Sequence, residues 1–208
     1  LAADVSHSLK TPIAVMNSVV SNDAIPTAII NQLKNQLSEM HELIDTQMRK
    51  TEMSGQYIGK ATPIIERTLA LVDVVSRIYP YKQIHLQETL PRELVWPIDE
   101  RDFNEILGNV LDNASKWCSQ EVHLHLKLHD DTLTILVEDD GPGIPEARRA
   151  EAQRPFTRLD PSRNQDSGSS VGLGLAITTD IARAHGGVLR LGESERLGGL
   201  CADIVIAR

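Results

Sequence analysis

Between Asp99 and Gly143 the chain passes from a helical period to two runs of strict alternation and ends on a glycine turn, and no other stretch restricts the fold so tightly. From Asp99 to Trp117 the apolar residues Ile106, Val110 and Ala114 recur every four positions, which predicts a helix N-capped by Asp99 with that stripe facing a core. Val122-His-Leu-His-Leu-Lys-Leu128 then alternates strictly, Asp130-Asp131 turns, and Leu133 to Glu138 alternates again. A helix followed by a β-hairpin follows from these periods. The hairpin runs straight into Asp139-Asp-Gly-Pro-Gly143 and Ile144, so a carboxylate is expected at a strand end, on a tight turn.

The rest of the C-terminal part extends the same α+β pattern. Pro63 to Tyr79 reads as a helix with proline in its tolerated first turn, and Ile84-His-Leu-Gln87 alternates. Gly172 to His185 reads as a helix stopped by Gly186-Gly187, and Val188–Leu191 with Cys201–Ile206 adds a strand pair. A sheet covered on one face by helices is expected, with function on the loop between Ile144 and Ser170. The N-terminal part follows another rule. Val5, Leu9, Pro12, Met16 and Val19 step by three and four, Ser21-Asn-Asp-Ala-Ile-Pro26 interrupts, and Leu33, Leu37, Met40 and Ile44 resume. Each helix of such a hairpin has one apolar stripe, which a hairpin alone cannot bury; pairing two hairpins in a four-helix bundle can, so a homodimer is expected. The boundaries are residues 1–54 for the hairpin and 60–208 for the second domain.

Composition narrows the chemistry. A net charge of −8 argues against nucleic acid as a partner, because phosphate backbones need an excess of Lys and Arg. Cys118 and Cys201 have no metal-ligand spacing and read as reduced thiols. No apolar run approaches the roughly 20 residues that span a bilayer, so no direct membrane contact is expected of this piece. A start at Leu1, already in helical pattern, reads as a fragment of a longer protein.

Several residues could carry chemistry. Glu105, Asn109 and Asn113 share a helix face beside the apolar stripe, and two carboxamide oxygens plus phosphates suffice for Mg²⁺. Lys116, one turn on, could reach a terminal phosphate, and Trp117 offers a flat face to a base. Asp139 could accept the exocyclic amine of adenine, with Gly141 and Gly143 letting the backbone turn beneath the ring. Val171-Gly-Leu-Gly-Leu175 places Gly172 and Gly174 at a helix start, where backbone amides can approach phosphate. His7 falls on the outward side of the apolar seam, a free imidazole competent as a nucleophile, with Thr11 one turn later able to orient a water. His123, His125 and His129 invite a zinc reading. They alternate with leucines and offer no closed four-ligand set, so an exposed strand face is the better expectation.

Taken in order, these segments resemble the boxes of sensor histidine kinases of two-component systems. His7-Ser-Leu-Lys-Thr-Pro12 resembles the phosphoacceptor box, Asn109-Val-Leu-Asp-Asn113 the N box, and Asp139-Asp-Gly-Pro-Gly143 the first glycine box. Pro155-Phe-Thr-Arg158 is similar to the F box and Gly172-Leu-Gly-Leu175 to the second glycine box. The Ser after His7, with Gly-Asn-Val-Leu-Asp-Asn-Ala and Val-Glu-Asp-Asp-Gly-Pro-Gly-Ile-Pro, looks most like the PhoQ branch. The resemblance implies a dimerisation and phosphotransfer bundle followed by a Bergerat-type (GHKL) ATP-binding α/β sandwich. It implies ATP and Mg²⁺ as ligands, the metal on Asn109 and Asn113. Ile144, Val171, Leu173 and Leu175, in or next to the glycine boxes, line the nucleotide site, and Asp139 reads adenine. Lys116 and Arg158 neutralise phosphate, Arg163 is a second phosphate contact, and residues 145–170 form a lid. It implies phosphorylation of His7, transfer to an aspartate of a response regulator, regulator phosphatase activity through Thr11, and a cytoplasmic location in a bacterial inner-membrane protein. Two departures stand out. Ser8 replaces a frequent acidic residue, leaving Asp4 or solvent to take the imidazole proton, and Ser170 replaces a frequent glycine. The competing reading they raise is a nucleotide-binding dimeric scaffold without catalysis.

Overall fold

The computed structural model describes residues 61–155, 157 and 172–208. The hairpin expected over 1–54, with His7 and Thr11, lies outside the described residues, as do Arg158, Arg163 and Val171.

The described chain runs β1 (Thr62–Pro63), α1 (Ile64–Ile78), β2 (Gln83–Glu88), β3 (Val95–Trp96), α2 (Glu100–Trp117), β4 (Glu121–His129), β5 (Thr132–Asp139), α3 (Glu146–Ala152), α4 (Gly174–Ala184), β6 (Val188–Glu193) and β7 (Leu200–Ala207). Five strands make one sheet in the order β2-β4-β5-β7-β6, and β1 with β3 forms a separate two-residue ladder. Every neighbouring pair in the large sheet is antiparallel except β2 and β4, which run parallel with Gln83 opposite Glu121 and His85 opposite His123.

Alternation builds the core. Leu124 and Leu126 of β4, Leu133, Ile135 and Val137 of β5, and Ala202, Ile204 and Ile206 of β7 all point to one face of the sheet and are buried. The stripe of α2, from Phe103 through Ile106, Leu107, Val110 and Leu111 to Ala114, is buried with them in a single cluster. Burying a side chain of this kind contributes about 1.5–3 kcal/mol relative to leaving it exposed, so α2 is the main ballast of the helical layer. Asp99 accepts the backbone N–H of Arg101 at 2.8 Å and starts α2 where the sequence places its cap. At the other end Lys82 Nζ donates to the carbonyls of Cys118 and Ser119, satisfying acceptors that the helix leaves over. His185 Nε2 lies 2.9 Å from Asp102 Oδ2, joining the end of α4 to the first turn of α2.

Three details differ from expectation. α4 begins at Gly174, not Gly172, which instead has φ +75° and is not helical. Part of the expected 144–170 loop is helical: α3 spans Glu146–Ala152, its sequence EARRAEA carrying no apolar stripe to announce it. His125, expected on an exposed strand face, is buried. It does lie on the sheet face opposite the leucines, but the 194–199 turn covers it, with Arg196 at 3.5 Å and Glu138 at 3.6 Å. Burial lowers its pKa despite the neighbouring Glu138 carboxylate.

Candidate nucleotide site

Three segments carry the candidate residues, and two of them approach α2 at Asn109 and at Trp117. The first is α2's polar face. Asn109 and Asn113 are half-buried one turn apart, and Asn109 Nδ2 is buried without a hydrogen-bond partner among the described residues. An unsatisfied buried amide costs about 1–3 kcal/mol, so its retention beside the core calls for an external partner. Phosphate oxygens and a hydrated cation are partners that a carboxamide can serve from either end, and the donor chemistry therefore fits Mg²⁺ with nucleotide phosphates.

The second segment is the turn after β5. Asp139 is 2 % exposed. Its Oδ1 accepts N–H groups from Gly141 at 2.8 Å and Leu200 at 3.2 Å, while Oδ2 accepts none from the described residues. Burial raises the Asp139 pKa although those two N–H groups pull the other way. The carboxylate is thus fixed through one oxygen, with the other left for a ligand donor. Asp140 points elsewhere: its carboxylate accepts the backbone N–H groups of Ser119, Gln120 and Glu121, at 2.7 Å for the first. Burial alone would raise its pKa, yet these N–H groups hold it below the ordinary carboxylate value. Asp139 is therefore held through one oxygen by Gly141 and Leu200, whereas Asp140 clasps the α2–β4 connection. Gly141 is obligatory on steric grounds, because a Cβ there would stand 2.5 Å from the Trp117 carbonyl oxygen.

The third segment is the start of α4. A Cβ on Gly174 would stand 3.5 Å from Asn109 Oδ1, so the bare helix start lies directly against the first asparagine. The first-turn N–H groups of a helix have no intrahelical acceptor and carry a partial positive charge, which suits a phosphate chain. Leu173 is buried and Leu175 packs half-buried against the core, which anchors this terminus. Gly172 packs on Thr157, whose carbonyl oxygen would be 2.5 Å from an added Cβ.

Gly174 thus lies against Asn109, and Gly141 lies against both Asp139 and the Trp117 carbonyl. The Lys116 ammonium lies over the Trp117 ring, 5.6 Å from the centroid. That places the Trp117 face in a cation–π contact. Gly143 adopts φ +65° beside Gly199, and Ile144 is tied down when Arg149 Nε donates to its carbonyl at 3.0 Å. Sequence reasoning missed Gly199. A Cβ there would sit 2.2 Å from the Asp139 carbonyl oxygen and 2.5 Å from Asp139 Oδ1, so the Gly198-Gly199 turn seats the Asp139 carboxylate. The paired glycines before β7 were the available signal.

Residues 98–207 match the family of histidine kinase-, DNA gyrase B- and HSP90-like ATPases. Sensor protein PhoQ of Escherichia coli O157:H7 is 30% identical over 219 residues, covering 99% of this chain and 42% of that protein. The chain therefore spans less than half the length of the curated relatives it matches. Among solved structures, the mycobacterial sensor histidine kinase MprB superposes with a TM-score of 0.61 at 26% identity, covering 71% of this chain and 96% of that one. Full-length ShkA in complex with AMPPNP gives a TM-score of 0.70 at 22% identity over 99% of this chain and 45% of that one, a likeness of fold.

Proposed function

The chain belongs to the histidine kinase-, DNA gyrase B- and HSP90-like ATPase family, and from that premise we propose that it is the ATP-dependent autokinase core of a two-component sensor. Residues 1–54 form the dimerisation and phosphotransfer hairpin of a homodimer, and 60–208 the nucleotide-binding domain. Asp139 Oδ2 accepts the adenine amine. The N–H groups opening α4, with Lys116, Arg158 and Arg163, receive the phosphates. Asn109 and Asn113 hold Mg²⁺, which when bound neutralises phosphate charge.

His7 supplies the nucleophile. A ring nitrogen forms a bond to the γ-phosphorus, the bond from that phosphorus to the bridging oxygen breaks, and ADP leaves with the electron pair. The imidazole proton passes to Asp4 or to solvent, since Ser8 is no base at neutral pH. The phosphoryl group then moves to an aspartate of a response-regulator receiver domain, and Thr11 orients the water that later removes it. Such transfer depends on positioning and charge stabilisation more than on covalent help. The observation that best supports this reading is the contact between Asn109 and the α4 start, with Asp139 held, among the described residues, through Oδ1 alone. No helix among the described residues is long and apolar enough to cross a membrane; the membrane-spanning and sensing parts are assigned to the longer protein.

Labelled ATP tests the proposal. Wild type should acquire acid-labile, base-stable label, and His7→Gln none. Label retained by His7→Gln, or release of free phosphate with no labelled protein, would remove the kinase reading. Thr11→Ala should keep the label yet dephosphorylate the regulator more slowly.

A further inference from the structure

The outer face of the sheet carries a second group of ligating side chains, well apart in character from the nucleotide-binding residues. Parallel pairing sets His85 of the edge strand β2 directly opposite His123 of β4, and Glu121 lies two residues before His123 on the same face. The two imidazoles meet edge to face with centroids 4.9 Å apart, and His123 Nε2 lies 3.2 Å from Glu121 Oε2. One donor atom from each of the three residues falls within 4.8 Å of the others. His85 is exposed, and Glu121 and His123 are half-buried, so the group is open to solvent on one side.

We propose that His85, Glu121 and His123 bind a divalent transition-metal ion of the zinc class, three protein donors leaving one position to water. Two imidazoles and a carboxylate form a recurrent zinc donor set, whereas Mg²⁺ and Ca²⁺ favour oxygen donors throughout. Tetrahedral Zn–N bonds of about 2.0–2.1 Å put donor atoms about 3.3 Å apart, so the present group needs to close by about 1.5 Å at most. Side-chain rotation supplies that movement, because hydrogen bonding between β2 and β4 already fixes the backbone register. The histidines closest in sequence do not complete the set. His129 is exposed and paired with Asp130 at 3.1 Å, and His125 is turned to Glu138 and Arg196. The site therefore arises from a strand partner nearly forty residues away in the chain, which sequence spacing does not reveal. A bound ion would clip the edge strand β2 to its neighbour.

The test titrates Zn²⁺ into the untagged 208-residue chain without nucleotide, by calorimetry and by thermal melting, with Mg²⁺ as the comparison. One site is expected, with Tm rising by roughly 5 °C or more at a hundredfold excess over Kd. His85→Gln and His123→Gln should each weaken Zn²⁺ by at least about tenfold, since even changes to groups that merely orient a ligand cost that much. Because His85 is exposed, its replacement leaves the fold intact, and the metal-free melting of that variant should match wild type. An absent zinc response, a response equalled by Mg²⁺, or one unchanged in both variants overturns the proposal. The nucleotide reading stands or falls separately, since no nucleotide enters this experiment.

Discussion

Replacing Asp139 by Asn probes nucleotide recognition with the least disturbance to shape. In the native turn Oδ1 takes two backbone N–H groups, at 2.8 and 3.2 Å, and Oδ2 takes none from the described residues. An asparagine can keep its carbonyl oxygen at the Oδ1 position, which preserves both bonds and turns an NH₂ group toward the ligand. The adenine amine then faces a donor where it had an acceptor. A hydrogen bond to a charged group is worth about 1.5–3 kcal/mol, and its loss should weaken ATP binding roughly ten- to hundredfold. Folding should respond differently. Burial raises the Asp139 pKa, so the folded state binds its proton more tightly than the unfolded chain. The ionised group therefore opposes folding, by an amount that grows as pH rises from the ordinary carboxylate value through the folded one and persists above it. Removing that charge should leave Tm at pH 7 equal to wild type or higher. ATP titration and thermal melting of the same preparation separate the effects. A variant that binds ATP as well as wild type, or that loses affinity only because it has unfolded, would refute the reasoning.

Asn113→Ala should abolish Mg²⁺-dependent nucleotide binding, read as ATP titrations with and without a chelator. Gly199→Ala forces a Cβ within 2.2 Å of the Asp139 carbonyl oxygen; ATP affinity should fall by at least about tenfold, alongside a destabilisation of about 1–3 kcal/mol in urea. Asp140 has the opposite linkage to Asp139. Its depressed pKa contributes stability that is fully present above the ordinary value of 3.8 and is lost as pH falls through the lower folded value. Asp140→Asn should therefore be less stable than wild type at pH 7, and the gap should shrink in acid denaturation carried below pH 3.8.

What could be read from the sequence followed from how local each signal was. α2 and the β4–β5 hairpin were legible because their apolar residues keep one period without interruption, and Asp99 and Gly186-Gly187 mark helix ends by chemistry that needs no partner. The candidate nucleotide residues could be proposed for a related reason: asparagines one turn apart and glycines at fixed offsets are short-range patterns. Features set by distant contacts were not. The QIHLQE sequence of β2 names no partner, and only its parallel pairing with β4 brings His85 to His123. α3 is short and polar, so its pattern resembles a loop. His125 sat on the expected face, but no local rule says that Arg196 and Ser194 come from the 194–199 turn to that face, where Ser194 bonds Glu138 at 2.7 Å. Gly199 acts on Asp139 from sixty residues away, and that contact belongs to the β5–β7 pairing rather than to either turn alone.

A crystal structure of the chain with Mg²⁺ and a non-hydrolysable ATP analogue examines the central assignment most directly. Its adenine amine should lie within hydrogen-bond distance of Asp139 Oδ2, its phosphates at the α4 start, and the metal within reach of Asn109 and Asn113. An analogue held anywhere else, or bound with Asp139 and both asparagines making no contact to it, would contradict the account.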